Sequence, residues 1–239
     1  MAKMSLDDLT AQLSRAHGEQ LTAVVLYGSA ARGDYVDKRS DLNVLVIVRS
    51  LSSATLRASA ATARAWLDAG NPPPLILTET EWRSSHDVFA MEYADILEKH
   101  RVLTGALPPG PATVDPAHLR HQLEFEAMGK LIRLRQGILA CDGNAKRELE
   151  LLLASKSAIL VLFRTLLRAC GETPSLQSAE VVRRAAEIAG FDAAPFLDVV
   201  AHARGESKIP VARADVVLEA YHVGLQRFIA YVDVLVRPR

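Results

Sequence analysis

Between residues 26 and 48 the chain brings together small residues, a hydroxyl, a cation and two oxygen-bearing side chains. They run Leu26-Tyr27-Gly28-Ser29-Ala30-Ala31-Arg32-Gly33, then Ser40-Asp41-Leu42-Asn43-Val44. Gly28 has no Cβ, so a phosphate can approach the backbone there. Ser29 adds a hydroxyl donor, and a helix starting at this turn would present unpaired N–H groups and a partial positive charge to an anion. Arg32 supplies a charged donor for a phosphate oxygen. Side chains two apart on a strand share a face, so Asp41 and Asn43 aim two oxygen ligands the same way. These residue types suit a triphosphate held with magnesium, an ion that prefers anionic oxygen ligands. The second ligand, however, is an amide, which brings a dipole where a carboxylate would bring a full charge.

The flanking elements are legible from pattern. The apolar run 21–27 reads as a strand delivering the turn, and 28–33 as a turn opening into a short helix. The segment 42–48, rich in Val and Ile, is the most strand-like in the chain. Its nearly unbroken apolar character suits a strand covered on both faces. Ser5 and Asp8 have capping-box spacing, and Leu6, Leu9 and Leu13 recur at helical intervals, so 5–16 is expected to be helical. One helix is expected over 53–69, closed by Gly70 and the prolines at 72–74. A strand is expected at 75–78 and a short helix at 81–87. Weaker strands are expected at 91–97, a segment ambiguous with helix, and at 101–103.

Composition changes at 104–111, where three prolines and two glycines read as a linker. Asp115-Pro116 then forms a good N-cap and first-turn pair. Helices are expected near 116–140, 144–170, 177–189, 192–203 and 212–235. The expected architecture is an α/β domain over 1–106, a linker at 107–114 and an all-α helical bundle over 115–239.

The 239 residues allow one large domain or two small ones, and 49% hydrophobic content is ample for a core. Formal net charge is zero, and the first 110 residues carry 11 Lys and Arg against 13 Asp and Glu. No nucleic-acid partner is therefore expected. Cys141 and Cys170 have the spacing of neither a metal knuckle nor a redox pair. Residues 1–8 are polar and charged, unlike a signal peptide, and the apolar run 158–163 is too short to cross a bilayer. A soluble, cytoplasmic protein without a membrane partner is the expectation.

The order Gly28-Ser29, Arg32-Gly33, then Ser40-Asp41-x-Asn43 opening a buried strand resembles the signature of the DNA polymerase β-like nucleotidyltransferase superfamily. There Gly-Ser, a loop, and Asp-x-Asp or Asp-x-Glu follow one another. The stretch 26–48 looks most like the small bacterial nucleotidyltransferases, including those that adenylylate aminoglycosides. An α/β (α+β) mixed-sheet domain followed by a helical domain is also similar to that group.

The resemblance implies two-metal chemistry. Carboxylates hold magnesium, or manganese in its place, against the phosphates of a nucleoside triphosphate. A third carboxylate activates an acceptor hydroxyl on a small molecule or protein, which attacks the α-phosphate and expels pyrophosphate. By position, Gly28, Ser29 and Arg32 would bind nucleotide, Asp41 would be the first metal ligand and a catalytic residue, and Asn43 would occupy the second ligand position. The strand 75–78, where the superfamily would place the third carboxylate, has none. Glu79 and Glu81 at its end, and Glu92 and Asp95 in the next segment, are the candidates. Glu92, set between apolar Met91 and Tyr93, is the first to test. A catalytically degenerate module that binds nucleotide or a protein partner is the alternative, because Asn43 replaces a metal carboxylate.

Other residues carry plainer expectations. Glu126, Lys130 and Arg133 have the spacing of a solvated helix face. Trp66 and Trp82 read as packing residues, and the histidines include no His-Glu-x-x-His pair.

Overall fold

The computed structural model describes residues 4–32 and 42–236. Asp41, with Gly33 and Ser40, lies outside them. The chain divides into two compact units, Met1–Val114 and Asp115–Arg239.

The first unit opens with α1 (Leu6–His17), capped as its spacing predicts: Ser5 and Asp8 exchange side-chain to backbone bonds at 3.1 Å each way. Next come β1 (Leu21–Tyr27), α2 (Ser29–Arg32) and β2 (Asn43–Val48). They are followed by α3 (Ser53–Ala58), α4 (Ala60–Asp68), β3 (Leu75–Thr78), α5 (Glu79–Ser84), α6 (Ala90–Glu98) and β4 (His100–Gly105). The sheet is mixed, in the order β3-β2-β1-β4. β1 is antiparallel to both β2 and β4, and β2 is parallel to β3.

β2 is buried on both faces. Val44, Val46 and Val48 join Val24, Leu26, Leu9, Leu13 and Trp66 on one side. Leu45 and Ile47 join Ala23, Val25, Trp82, Tyr93 and Ile96 on the other. The alternation of a strand thus assigns odd-numbered β2 residues to the face that α5 and α6 cover.

Three expectations are corrected. The segment 91–97 is helical rather than a strand: Tyr93 and Ile96, one helical turn apart, both pack onto the sheet from α6. The helix expected over 53–69 breaks at Ser59, whose buried hydroxyl lies 3.1 Å from His17 Nε2. The strand expected at 101–103 runs on through Thr104 and Gly105, the first two residues assigned to the linker. Gly105 has φ +72°, and a Cβ there would stand 2.0 Å from Thr22 O, so only glycine lets the strand lie this close to β1.

Residues 107–114 pack on the first unit. The Trp82 indole N–H donates to Pro108 O at 3.0 Å, Gly110 lies against the same ring, and Leu107 and Val114 cover the core beneath it.

The second unit contains α7 (Pro116–Cys141), α8 (Ala145–Ala169), α9 (Ser178–Ala189), α10 (Ala194–Arg204) and α11 (Ala214–Val236). Asp115 caps α7 through the Ala117 N–H at 2.8 Å, with Pro116 in the first turn. Phe163, Phe191, Phe196 and Phe228 form one ring cluster in its core. Arg164, also buried, donates to Ser175 O at 2.5 Å and holds the segment leading into α9. Among the described residues no helix is long and apolar enough to cross a membrane.

Candidate functional site

The site forms where β1 ends. Gly28 turns the chain at φ +77° and is buried. The Ala31 N–H donates to Gly28 O at 3.1 Å and closes the first turn of α2. Ala30 and Ala31 pack into the core beside Leu9. Ser29 and Arg32 stand at the two ends of this short helix, and Ser29 is half-buried.

Asn43 is the cross-strand partner of Tyr27, and directly opposed residues on antiparallel strands point to the same face. Its amide lies over the turn, so that a Cβ added to Gly28 would stand 2.9 Å from Asn43 Nδ2. The start of β2 is held in place by Asn71, whose Oδ1 accepts the Leu42 N–H at 3.1 Å.

α6 covers this face. Tyr93 stacks on Trp82 with ring centroids 4.4 Å apart and donates its hydroxyl to Trp82 O at 2.5 Å. Glu92 and Asp95 are each displaced by one residue from the anchors Tyr93 and Ile96, and they share a helix face at i,i+3 spacing. Asp95 is buried and Glu92 half-buried. Both carboxylates are felt at Tyr27: burial first, then Glu92 and Asp95, push its phenol up to about 12. His100 is the partner of Tyr27 on β4, and its Nδ1 lies 2.6 Å from Ile96 O. One end of β1 therefore gathers the Gly28 turn, Tyr27, Asn43, His100 and the acidic face of α6.

The other acidic candidates are engaged elsewhere. Glu79 accepts from Thr22 Oγ1 at 2.8 Å and pairs with Arg83 at 3.1 Å. Thr22 is at the far end of β1, about 17 Å from Tyr27 at ~3.4 Å per residue. Glu81 completes the capping box of α5, accepting the Thr78 N–H at 2.7 Å. Trp66 and Trp82 are fully buried packing residues. Among the described residues no three His, Cys, Asp or Glu side chains cluster as a metal site.

Tyr27 and His100 received no role from the sequence. Tyr27 adjoins Gly28 in the chain, but α6 and β4, which bring Glu92, Asp95 and His100 toward it, read only as weak strand candidates.

In three dimensions the chain is similar to a crystal structure of the spectinomycin adenyltransferase AAD(9) from Enterococcus faecialis with ATP and spectinomycin. The TM-score is 0.63 at 11% identity, over 95% of this chain and 98% of that one. The two proteins share a fold. No family model matches the sequence, and no curated protein is similar to it. A likeness at this identity speaks for the α/β domain with its helical companion, and chemistry has to be argued from the site.

Proposed function

We propose that the chain is a nucleotidyltransferase, moving a nucleoside monophosphate from a nucleoside triphosphate to a hydroxyl acceptor with magnesium or manganese. One observation carries this reading: Asn43 packs on the Gly28-Ser29 turn and pairs with Tyr27, the residue whose phenol senses the carboxylates of α6. This arrangement lies in a fold shared with an adenyltransferase solved with ATP.

The donors near the turn are an amide and two carboxylates, all hard oxygen ligands of the kind magnesium takes. Asp41 and the Asn43 carbonyl would hold the ion, and the missing carboxylate charge would leave it dependent on water and phosphate ligands. Bound there, the ion would neutralise the phosphates and stabilise the attacking and leaving oxygens. The protein groups do the rest. The Gly28 backbone, Ser29 hydroxyl and Arg32 guanidinium bind and orient the phosphates. Glu92 accepts the proton of the acceptor hydroxyl, whose oxygen forms the new bond to the α-phosphorus. The bridging α–β P–O bond breaks, and pyrophosphate leaves.

A second reading is favoured by the packing of Asn43. Its amide packs against the turn, with the nitrogen 2.9 Å from where a Cβ of Gly28 would stand, as expected of a side chain kept for packing in a site that binds nucleotide or a protein without transfer.

The two separate by pyrophosphate release, measured with magnesium or manganese, labelled nucleoside triphosphates and a panel of hydroxylated acceptors. Turnover that vanishes in Asp41→Ala establishes the transferase. A silent wild type whose Asn43→Asp variant gains metal-dependent nucleotide binding establishes the degenerate site.

A further inference from the structure

The second unit contains a groove of about 250 Å³ between α7 and α8. Its origin lies in side-chain size. At Gly137 the helices close tightly, and a Cβ there would meet the Leu151 side chain at 2.5 Å. Beyond that contact α8 presents Ala154, Ser155 and Ala158, which are too small to fill the space opposite Lys130, Arg133 and Leu134. Ile159 completes an apolar floor. Ser155 is held from beneath, donating to Leu152 O at 2.9 Å and lying 3.1 Å from the buried Tyr221 hydroxyl.

The rim is cationic. Lys130 and Arg133 lie three apart on α7 and face the same way, so the solvated helix face expected here also borders this groove. Glu126 pairs with Lys130 at 2.9 Å. Arg133 makes no ion pair among the described residues, and none of the groove's lining side chains is acidic. An apolar floor with one uncompensated guanidinium at its edge suits a ligand with a flat apolar body and an anionic head. The guanidinium fork is the donor best matched to a carboxylate or another oxyanion.

We propose that this groove is a binding site for a small amphipathic anion, its oxyanion gripped by Arg133 with Lys130 beside it and its body laid over Ala154, Ala158 and Ile159. The inference does not depend on the nucleotidyltransferase reading.

The test is calorimetric titration of the full chain with 2-naphthoate and with 2-naphthamide, which share a body and differ in charge. Naphthoate is expected to bind one to one and about tenfold more tightly than the amide, the scale of one charge-assisted hydrogen bond. Arg133→Gln should erase that preference without changing the melting temperature, because Arg133 is exposed and makes no ion pair among the described residues. Ala158→Leu, which fills the groove and leaves both cations, should abolish binding of both probes. The proposal is overturned if the amide binds as well as the acid, if either variant binds like wild type, or if magnesium ATP displaces naphthoate and so makes the groove part of a nucleotide site.

Discussion

A Cβ on Gly28 would stand 2.9 Å from the side-chain nitrogen of Asn43. The turn that ends β1 and the residue that opens β2 are therefore built against each other. That contact joins the two halves of the sequence motif, and it determines what each substitution there should do.

Gly28→Ala carries two costs, a left-handed backbone at φ +77° and the contact with Asn43. The first alone costs about 1–2 kcal/mol for a residue with a Cβ. Both tryptophans are buried in the first unit, so their fluorescence during urea unfolding reports that unit selectively. Its midpoint should fall by an amount corresponding to at least that cost, whereas Ser29→Ala, on the half-buried end of α2, should leave it nearly unchanged.

Asn43→Asp restores the missing charge at the second ligand position while keeping the size of the side chain. Magnesium-dependent binding of ATP should strengthen by about tenfold, the scale on which metal sites respond to one altered supporting group. Titration calorimetry at fixed magnesium measures it. Equal affinity in the two proteins would show that position 43 is not a ligand.

Tyr27 should ionise only at about 12, held up by burial and then by Glu92 and Asp95. The folded value is raised above the ordinary 10.0. This contribution to stability is therefore complete below about pH 10 and lost as pH rises through the folded value. Glu92→Gln removes one of the two negative neighbours and should lower the Tyr27 midpoint. Absorbance at the phenolate band, differenced against Tyr27→Phe, follows that single group. An unmoved midpoint would place Glu92 away from the site.

His17 gives the opposite dependence. Burial lowers it from 6.5, its Nε2 meets Ser59 Oγ at 3.1 Å and its Nδ1 is buried with no hydrogen-bond partner among the described residues. A depressed base stabilises the fold above its unfolded value, and that contribution is lost as pH falls from 6.5 toward the folded value. The tryptophan-monitored urea midpoint should drop between neutral and mildly acidic pH. His17→Gln should flatten that drop.

Much of the architecture was readable because its signals are local. The Ser5–Asp8 cap, the bounds of β1 and β3, the doubly buried β2 and the long helices after Asp115 each follow from periodicity, capping or composition within one segment. The misread pieces are those whose form depends on a distant partner. Residues 91–97 satisfy both periods on paper, and they became helix because Tyr93 and Ile96 dock onto the sheet and Trp82. Gly105 looked like a breaker and serves as a strand end because Thr22 leaves no room for a Cβ.

The candidate site divides in the same way. The sequence alone determined the small turn at Gly28-Ser29, the strand behind it and the amide at position 43, since residue type and spacing settle these within two dozen residues. Only the tertiary structure sorted the four acidic candidates. Glu79 and Glu81 directly follow β3 in sequence, yet they are used at Thr22, Arg83 and the α5 cap. Glu92 and Asp95, some fifty residues beyond Asn43, are brought to Tyr27 by the packing of α6. A carboxylate's neighbours are set by which helix face the core buries, and that depends on contacts between segments that no local pattern encodes.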